Sequence, residues 1–206
     1  MITELTAEQK KALRSAAEKG MANATKSLSQ LVERKIVVET AMVDFLPVSE
    51  IPKRVGGPET LSMGIYMRMM GDVGGTSLLM LSRDSALSLV DILYERDRGT
   101  TQILNQDDRS ALGEIGNVLT ASYLTELGNL LKVSLYHSPP CIVFDVANSL
   151  IGFVLRGMNS NVSNVLVTQL KFKGNKGEIG GDFIFLLDSS SLSVLVNKIE
   201  KRLHPT

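Results

Sequence analysis

The chain has 206 residues, enough to bury a sizeable core in one large unit or two small ones. Its 22 Lys and Arg balance its 22 Asp and Glu, and no basic run stands out, so neither nucleic acid nor an anionic membrane is expected as a partner. A single cysteine, Cys141, excludes an internal disulfide and suits a reducing cytoplasm, while two distant histidines, His137 and His204, offer no zinc site.

The opening "MITELTAEQKKAL" carries no apolar leader, and no stretch reaches the roughly 18 apolar residues of a spanning helix. Hydrophobic periodicity predicts a helix over about residues 6–32, strands over about 35–46, 62–70 and 75–82, and a helix over about 83–95. The linker "ERDRGTTQ" follows, and Asp91, Glu95, Arg96, Asp97 and Arg98 read as a solvated helix end. A long helix is expected over about 106–129, with Asn105 as N-cap, Asp107 and Asp108 in its first turn, and Leu104 as a staple. Beyond it come a strand near 132–137, a Pro-Pro step, a short helix near 143–156, strands over about 163–173 and 180–187, and a last helix over about 189–203.

The two halves of this order match. "GGTSLLMLSRDSALSLVDIL" from Gly74 parallels "GGDFIFLLDSSSLSVLVNKI" from Gly180, each reading as a Gly-Gly hairpin turn, an apolar strand, a cap at Ser82 or Asp188, and an amphipathic helix. The long helices align at an offset of 99, with Leu13, Ala24 and Leu31 opposite Leu112, Tyr123 and Leu130. The expected fold is therefore α/β of the α+β type: a pseudo-twofold duplicated unit whose mostly antiparallel sheet is packed by two long helices and shorter ones. It forms one domain over 1–206, with halves at about 1–97 and 104–206.

Within the second long helix, "SALGEIGNVLTASYLTELGN" repeats Ser, three residues, Glu, two residues, Asn, as Ser110/Glu114/Asn117 and Ser122/Glu126/Asn129. At about 100° per residue, Leu112, Ile115, Leu119, Tyr123, Leu127 and Leu130 form the buried stripe, and Ser110, Glu114, Asn117 and Ala121 lie opposite. The second copy is a third of a turn out of phase. Glu126 then falls on the helix flank and Asn129 joins Gly128 as a C-cap. The outer face of the first copy is small, with Ser110, Gly113, Ala121 and Gly128, and Gly113 and Gly116 each cost about 1 kcal/mol of helix propensity relative to Ala. A low surface with one projecting carboxylate and one carboxamide suits close approach by another protein. The other glycine-rich stretches, "GDVGGTS" and "GNKGEIGGD", lack the Lys-Ser/Thr ending of a phosphate loop and read as hairpin turns.

"SALGEIGN" followed by Pro140, 23 residues after Asn117, resembles the signature of the CheC/CheX/FliY phosphatases of chemotaxis. The Ser122 copy fails that spacing, because Gly152 stands where the proline belongs. The resemblance extends over most of the chain, through "VDFLPVSEI", "GDVGGTSLLML" and "SPPCIV". It implies a hydrolase that dephosphorylates the response regulator CheY-phosphate and ends the motor signal. Glu114 and Asn117 would be catalytic, and Ser110 and Pro140 accessory, Ser110 by orienting Glu114. No cofactor of its own is implied, since the receiver supplies Mg2+. The resemblance also implies a second site in the first half. There, Lys11, Ser15 and Glu18 stand for Ser110, Glu114 and Asn117, and Ala41 stands for Pro140, so that site reads as degenerate. The alternative is a non-catalytic adaptor that binds the receptor deamidase CheD or a motor or receiver protein. A duplicated chain is expected to be a cytoplasmic monomer.

Overall fold

The computed structural model describes residues 2–158 and 162–204. Helix α1 (Ala7–Leu31) begins with a capping box at Thr6 and Gln9, and leads to β1 (Val37–Pro47) and a 3-10 turn at Val48–Glu50. The one-turn α2 (Ile51–Arg54), the hairpin β2 (Leu61–Gly71) and β3 (Gly75–Ser82), and α3 (Arg83–Leu93) complete the first half. The second half holds α4 (Gln106–Leu131), β4 (Leu135–His137), β5 (Cys141–Val146) and α5 (Ala147–Arg156). It ends with β6 (Asn164–Gly174), β7 (Gly177–Leu187) and α6 (Ser189–Leu203). The mixed fold with an antiparallel sheet is as expected, and the caps Ser82 and Asp188 each accept from the backbone N–H three residues on.

All strands share one antiparallel sheet in the order β1-β6-β7-β3-β2-β4, with β5 also on β2. The edge strand of each half lies on the hairpin of the other. The register repeats too: Val37↔Lys173 and Met42↔Gln169 on one side correspond to Tyr136↔Met70 and Cys141↔Tyr66 on the other. β1 has a bulge between Thr40 and Met42, and at the same place in the second half Pro139-Pro140 separates β4 from β5. A proline has no N–H for the ladder, so the strand must break there.

Alternation along the strands builds two cores. Leu79, Leu81, Phe183 and Phe185 face the larger one, under α1, α3, α4 and α6. Leu78, Met80, Ile184 and Leu186 face the smaller one, under α2 and α5. Tyr123 of α4 stacks on Phe185 at 4.6 Å and meets Phe183 edge-on at 6.0 Å. α1 and α4 cross so closely at Gly20 that a Cβ there would stand 2.9 Å from the Tyr123 Cα.

Four local expectations are corrected. Residues 143–146, expected to be helical, are strand, because β2 presents an open edge that pairs Cys141–Val146 before α5 begins at Ala147. Gly180-Gly181 lies inside β7 rather than in the turn, where Gly181 lets Leu81 approach to within 2.4 Å of its absent Cβ. Asp91 is buried, not solvated: its carboxylate accepts from the N–H groups of Gly99 and Thr101 at 2.8 and 2.9 Å and so folds the linker. The C-cap of α4 is Lys132 in the left-handed region, not Asn129, and its N–H donates to the Gly128 carbonyl.

Candidate functional site

α4 starts from a reciprocal cap in which Asn105 Oδ1 accepts from the Asp108 N–H and Asp108 Oδ2 accepts from the Asn105 N–H. Asp108 is buried and also faces Arg96 at 3.6 Å, so the first turn is fixed from both sides. From there Leu112, Ile115, Leu119, Tyr123 and Leu127 turn inward, which sets the opposite face outward.

On that outer face Ser110, Glu114 and Ala121 are exposed and Asn117 is half-buried. The Asn117 amide Nδ2 donates to both carboxylate oxygens of Glu114, at 3.3 and 3.4 Å. These contacts are long, but they hold the carboxamide beside the carboxylate, and among the described residues no donor reaches the Asn117 Oδ1. The Ser110 hydroxyl donates to the Gln106 carbonyl at 3.0 Å, back along its own helix, and so is engaged away from Glu114.

Pro140 sits against the same turn of α4. A Cβ on Gly113 would meet Ile142 Cδ1 at 3.5 Å and Pro140 Cγ at 3.7 Å. Gly113 is buried, and the smallness expected of an open surface instead admits the Pro-Pro step and β5. Gly116 is buried against the sheet, where a Cβ would approach Ile65 to 2.7 Å. One helix turn N-terminal to Gly113, the Arg109 guanidinium lies 5.3 Å from the centre of the Phe144 ring. Arg109 was not singled out in the sequence, because only the strand assignment of Phe144 places the ring there.

The other motif positions separate from this set. Glu126 accepts from Asn23 Nδ2 at 3.1 Å and ties α4 to α1. Asn129 lines a groove of about 320 Å3 with Ser15, Lys19, Lys132 and Arg202. On α1, Ser15 and Glu18 are exposed, and Glu18 pairs with Arg14 at 2.8 Å. Ala41, opposite Pro140 by the internal symmetry, sits at the β1 bulge. Among the described residues no three His, Cys, Asp or Glu side chains cluster as metal ligands. No helix among them is long and apolar enough to cross a membrane.

The model of the CheC-like family matches residues 108–143, the segment that holds Ser110, Glu114, Asn117 and Pro140. The CheY-P phosphatase CheC of Bacillus subtilis (strain 168) is 28% identical over 192 residues, covering 91% of this chain and 92% of its own. Thermotoga maritima FliY shares the fold at a TM-score of 0.76 and 17% identity, over 96% of this chain and 98% of its own. The FliM middle domain of H. pylori shares it at a TM-score of 0.66 and 16% identity, over 94% and 99%. The chain is thus similar to the CheC-like family over residues 108–143, to B. subtilis CheC over nine-tenths of its length, and to FliY and the FliM middle domain in fold.

Proposed function

We propose that this chain hydrolyses the aspartyl phosphate of a CheY-type response regulator, with Asn117 and Glu114 as the working pair. The observation that carries this reading is the pairing of a half-buried carboxamide with an exposed carboxylate on the outer face of α4, beside Pro140. Hydrolysis of an acyl phosphate breaks its P–O bond as water attacks in line, giving aspartate and inorganic phosphate. Little covalent help is needed; a positioned water and balanced charge suffice.

Asn117 is suited to both needs. Its Oδ1 orients the water and its N–H groups donate to phosphoryl oxygens. A carboxylate in its place, as at Glu18, would bring negative charge to a phosphoryl group. Glu114 holds the Asn117 amide before docking and exchanges that contact for the receiver's lysine on docking, which releases the amide toward the phosphoryl group. Charge on the leaving oxygen is balanced on the receiver's side, by its own Mg2+, so this chain acts without a cofactor. Ser110 secures the helix turn below, and Pro140 shapes the rim. The likeness to the B. subtilis CheY-P phosphatase supports the choice of substrate. We place the protein in the cytoplasm as a monomer.

A second reading is favoured by the altered first copy, in which Ser15 and Glu18 replace the acidic and carboxamide pair. A chain with one site left could serve as an adaptor for CheD or a motor protein. Phosphate release from a phosphorylated, Mg2+-loaded receiver separates the two. Wild type should accelerate release, Glu114→Ala should lose most of that gain, and Asn129→Ala should keep it. No acceleration by wild type rejects the phosphatase reading, and loss in Asn129→Ala shows that the other motif copy is the active one.

A further inference from the structure

On the face of the sheet turned away from α4, a pocket of about 620 Å3 opens at the edge of the smaller core. Its size lies in the range that holds small organic ligands, roughly 300–1,000 Å3. Tyr66, Arg68 and Met70 reach it from alternate positions of β2, Cys141 from β5, and Phe153 and Arg156 from α5. Tyr66 and Phe153 form a tilted ring pair with centres 5.2 Å apart, while Phe153 and Met70 remain 45% and 43% exposed. Burial and the Cys141 thiol raise the Tyr66 hydroxyl to about 12, so it stays a neutral donor.

The two arginines are exposed, and among the described residues neither pairs with a carboxylate. The internal symmetry supplies a control. The counterpart of Arg68 is Lys171, which in the other half stands opposite Glu39 and pairs with Glu178 at 3.2 Å. The next alternate residue, Lys173, pairs with Glu39 at 2.6 Å and with Glu178 at 3.6 Å. Where Glu39 stands in the first half, the second has Ser138, whose hydroxyl accepts from the Arg68 backbone N–H. One side of the pseudo-symmetric sheet thus neutralises its cations, through Glu39 across the halves and Glu178 within the second, and the other leaves a guanidinium without its acid beside an uncovered ring pair.

We infer that this pocket binds a small organic anion, its ring-bearing body against Tyr66 and Phe153 and its carboxylate or phosphate head on Arg68 and Arg156. A guanidinium fork matches either head group, and the ring faces supply the apolar contact. The pocket adjoins the candidate site without being part of it. Cys141 faces the pocket, while its strand neighbours Pro140 and Ile142 press on Gly113 of α4. A ligand there stands one residue behind the Pro-Pro step.

The probe is 1-anilinonaphthalene-8-sulfonate, a ring-bearing anion, with N-phenyl-1-naphthylamine as its uncharged analogue, both read by fluorescence on the folded full chain. The sulfonate should bind once per chain, and Arg68→Gln and Arg156→Gln should each weaken it about tenfold, the scale of one charge-assisted hydrogen bond. The neutral analogue should be unaffected by these changes, and Lys171→Gln should leave both probes unchanged. Because Cys141 is the chain's one cysteine, its alkylation by iodoacetamide is a second readout, and saturating sulfonate should slow it. Displacement by phenyl phosphate or by phenylacetate identifies the head group. Unchanged sulfonate affinity in both arginine variants, no protection of Cys141, or displacement by inorganic phosphate as strong as by phenyl phosphate would overturn the assignment.

Discussion

At the scale of single residues, the proposed activity rests on the contact between Glu114 and Asn117. Two substitutions at Glu114 separate its roles. Glu114→Gln keeps an acceptor for the Asn117 amide and loses the charge, so KM for the phosphorylated receiver should rise about tenfold with kcat little changed. Glu114→Ala removes both, and kcat should fall as well. An equal fall of kcat in both variants would place the charge in the chemical step instead. The glycines of α4 make a second residue-level contrast. Gly113→Ala meets only ordinary contacts at 3.5 and 3.7 Å and should gain up to about 1 kcal/mol of helix propensity. Gly116→Ala must displace Ile65 from 2.7 Å, and overpacking of that kind costs about 1–3 kcal/mol, which should offset or exceed the same gain. Thermal unfolding of the two variants checks the order. The outward side of the motif was legible in the sequence, since Leu112 to Leu127 fix the helix phase. The burial of Gly113 was not, because it depends on a strand from elsewhere in the chain.

At the scale of elements, α2 is the least self-sufficient. It is one turn long, and the Arg54 guanidinium pairs with the buried Asp182 of β7 at 2.7 Å to hold it on the sheet. Burial raises the Asp182 carboxyl above the usual carboxylate range, and Arg54 lowers it only in part. Arg54→Ala should cost about 3 kcal/mol at neutral pH, because it strands a buried charge. The sign with pH follows from linkage. A folded-state pKa above the unfolded value means that protonation favours the folded chain, and the variant raises that pKa further. The deficit should therefore shrink as pH falls through the carboxylate range, which urea titrations at pH 7 and pH 4.5 would measure. A constant deficit would show that Asp182 stays neutral in the fold. Neither α2 nor this pair was visible in the sequence, since four residues carry no periodicity and the partners lie 128 positions apart. The elements read correctly were those with long periodic or alternating faces, α1, β1, the first hairpin, α3, α4, β6 and α6, whereas β7 was read as starting too late, at Gly180. The segment 143–146 was misread because a short apolar run fits helix and strand equally until its partner strand is known.

At the scale of the molecule, the duplication is closed by exchange, since β1 pairs with β6 and β5 with β2. Residues 1–97 alone leave β1 without its partner and β2 with an open edge. That fragment should stay unfolded or pair with a second copy, and a folded monomer by sedimentation and amide dispersion would contradict this topology. Each half carries its own long helix, so the proposed difference between them, an acid–carboxamide pair on α4 against Ser15 and Glu18 on α1, leaves the shared sheet unaffected. The central claim is that one site, on α4, does the hydrolysis. Its most direct test is the rate of phosphate loss from a phosphorylated receiver saturated with Asn117→Ala protein. Removing a group of this kind typically slows catalysis on the order of 10²-fold, so the rate should fall to near the receiver's own. A variant that keeps about half of the wild-type acceleration would show that α1 still carries a working site, and one that keeps all of it would remove Asn117 from the chemistry.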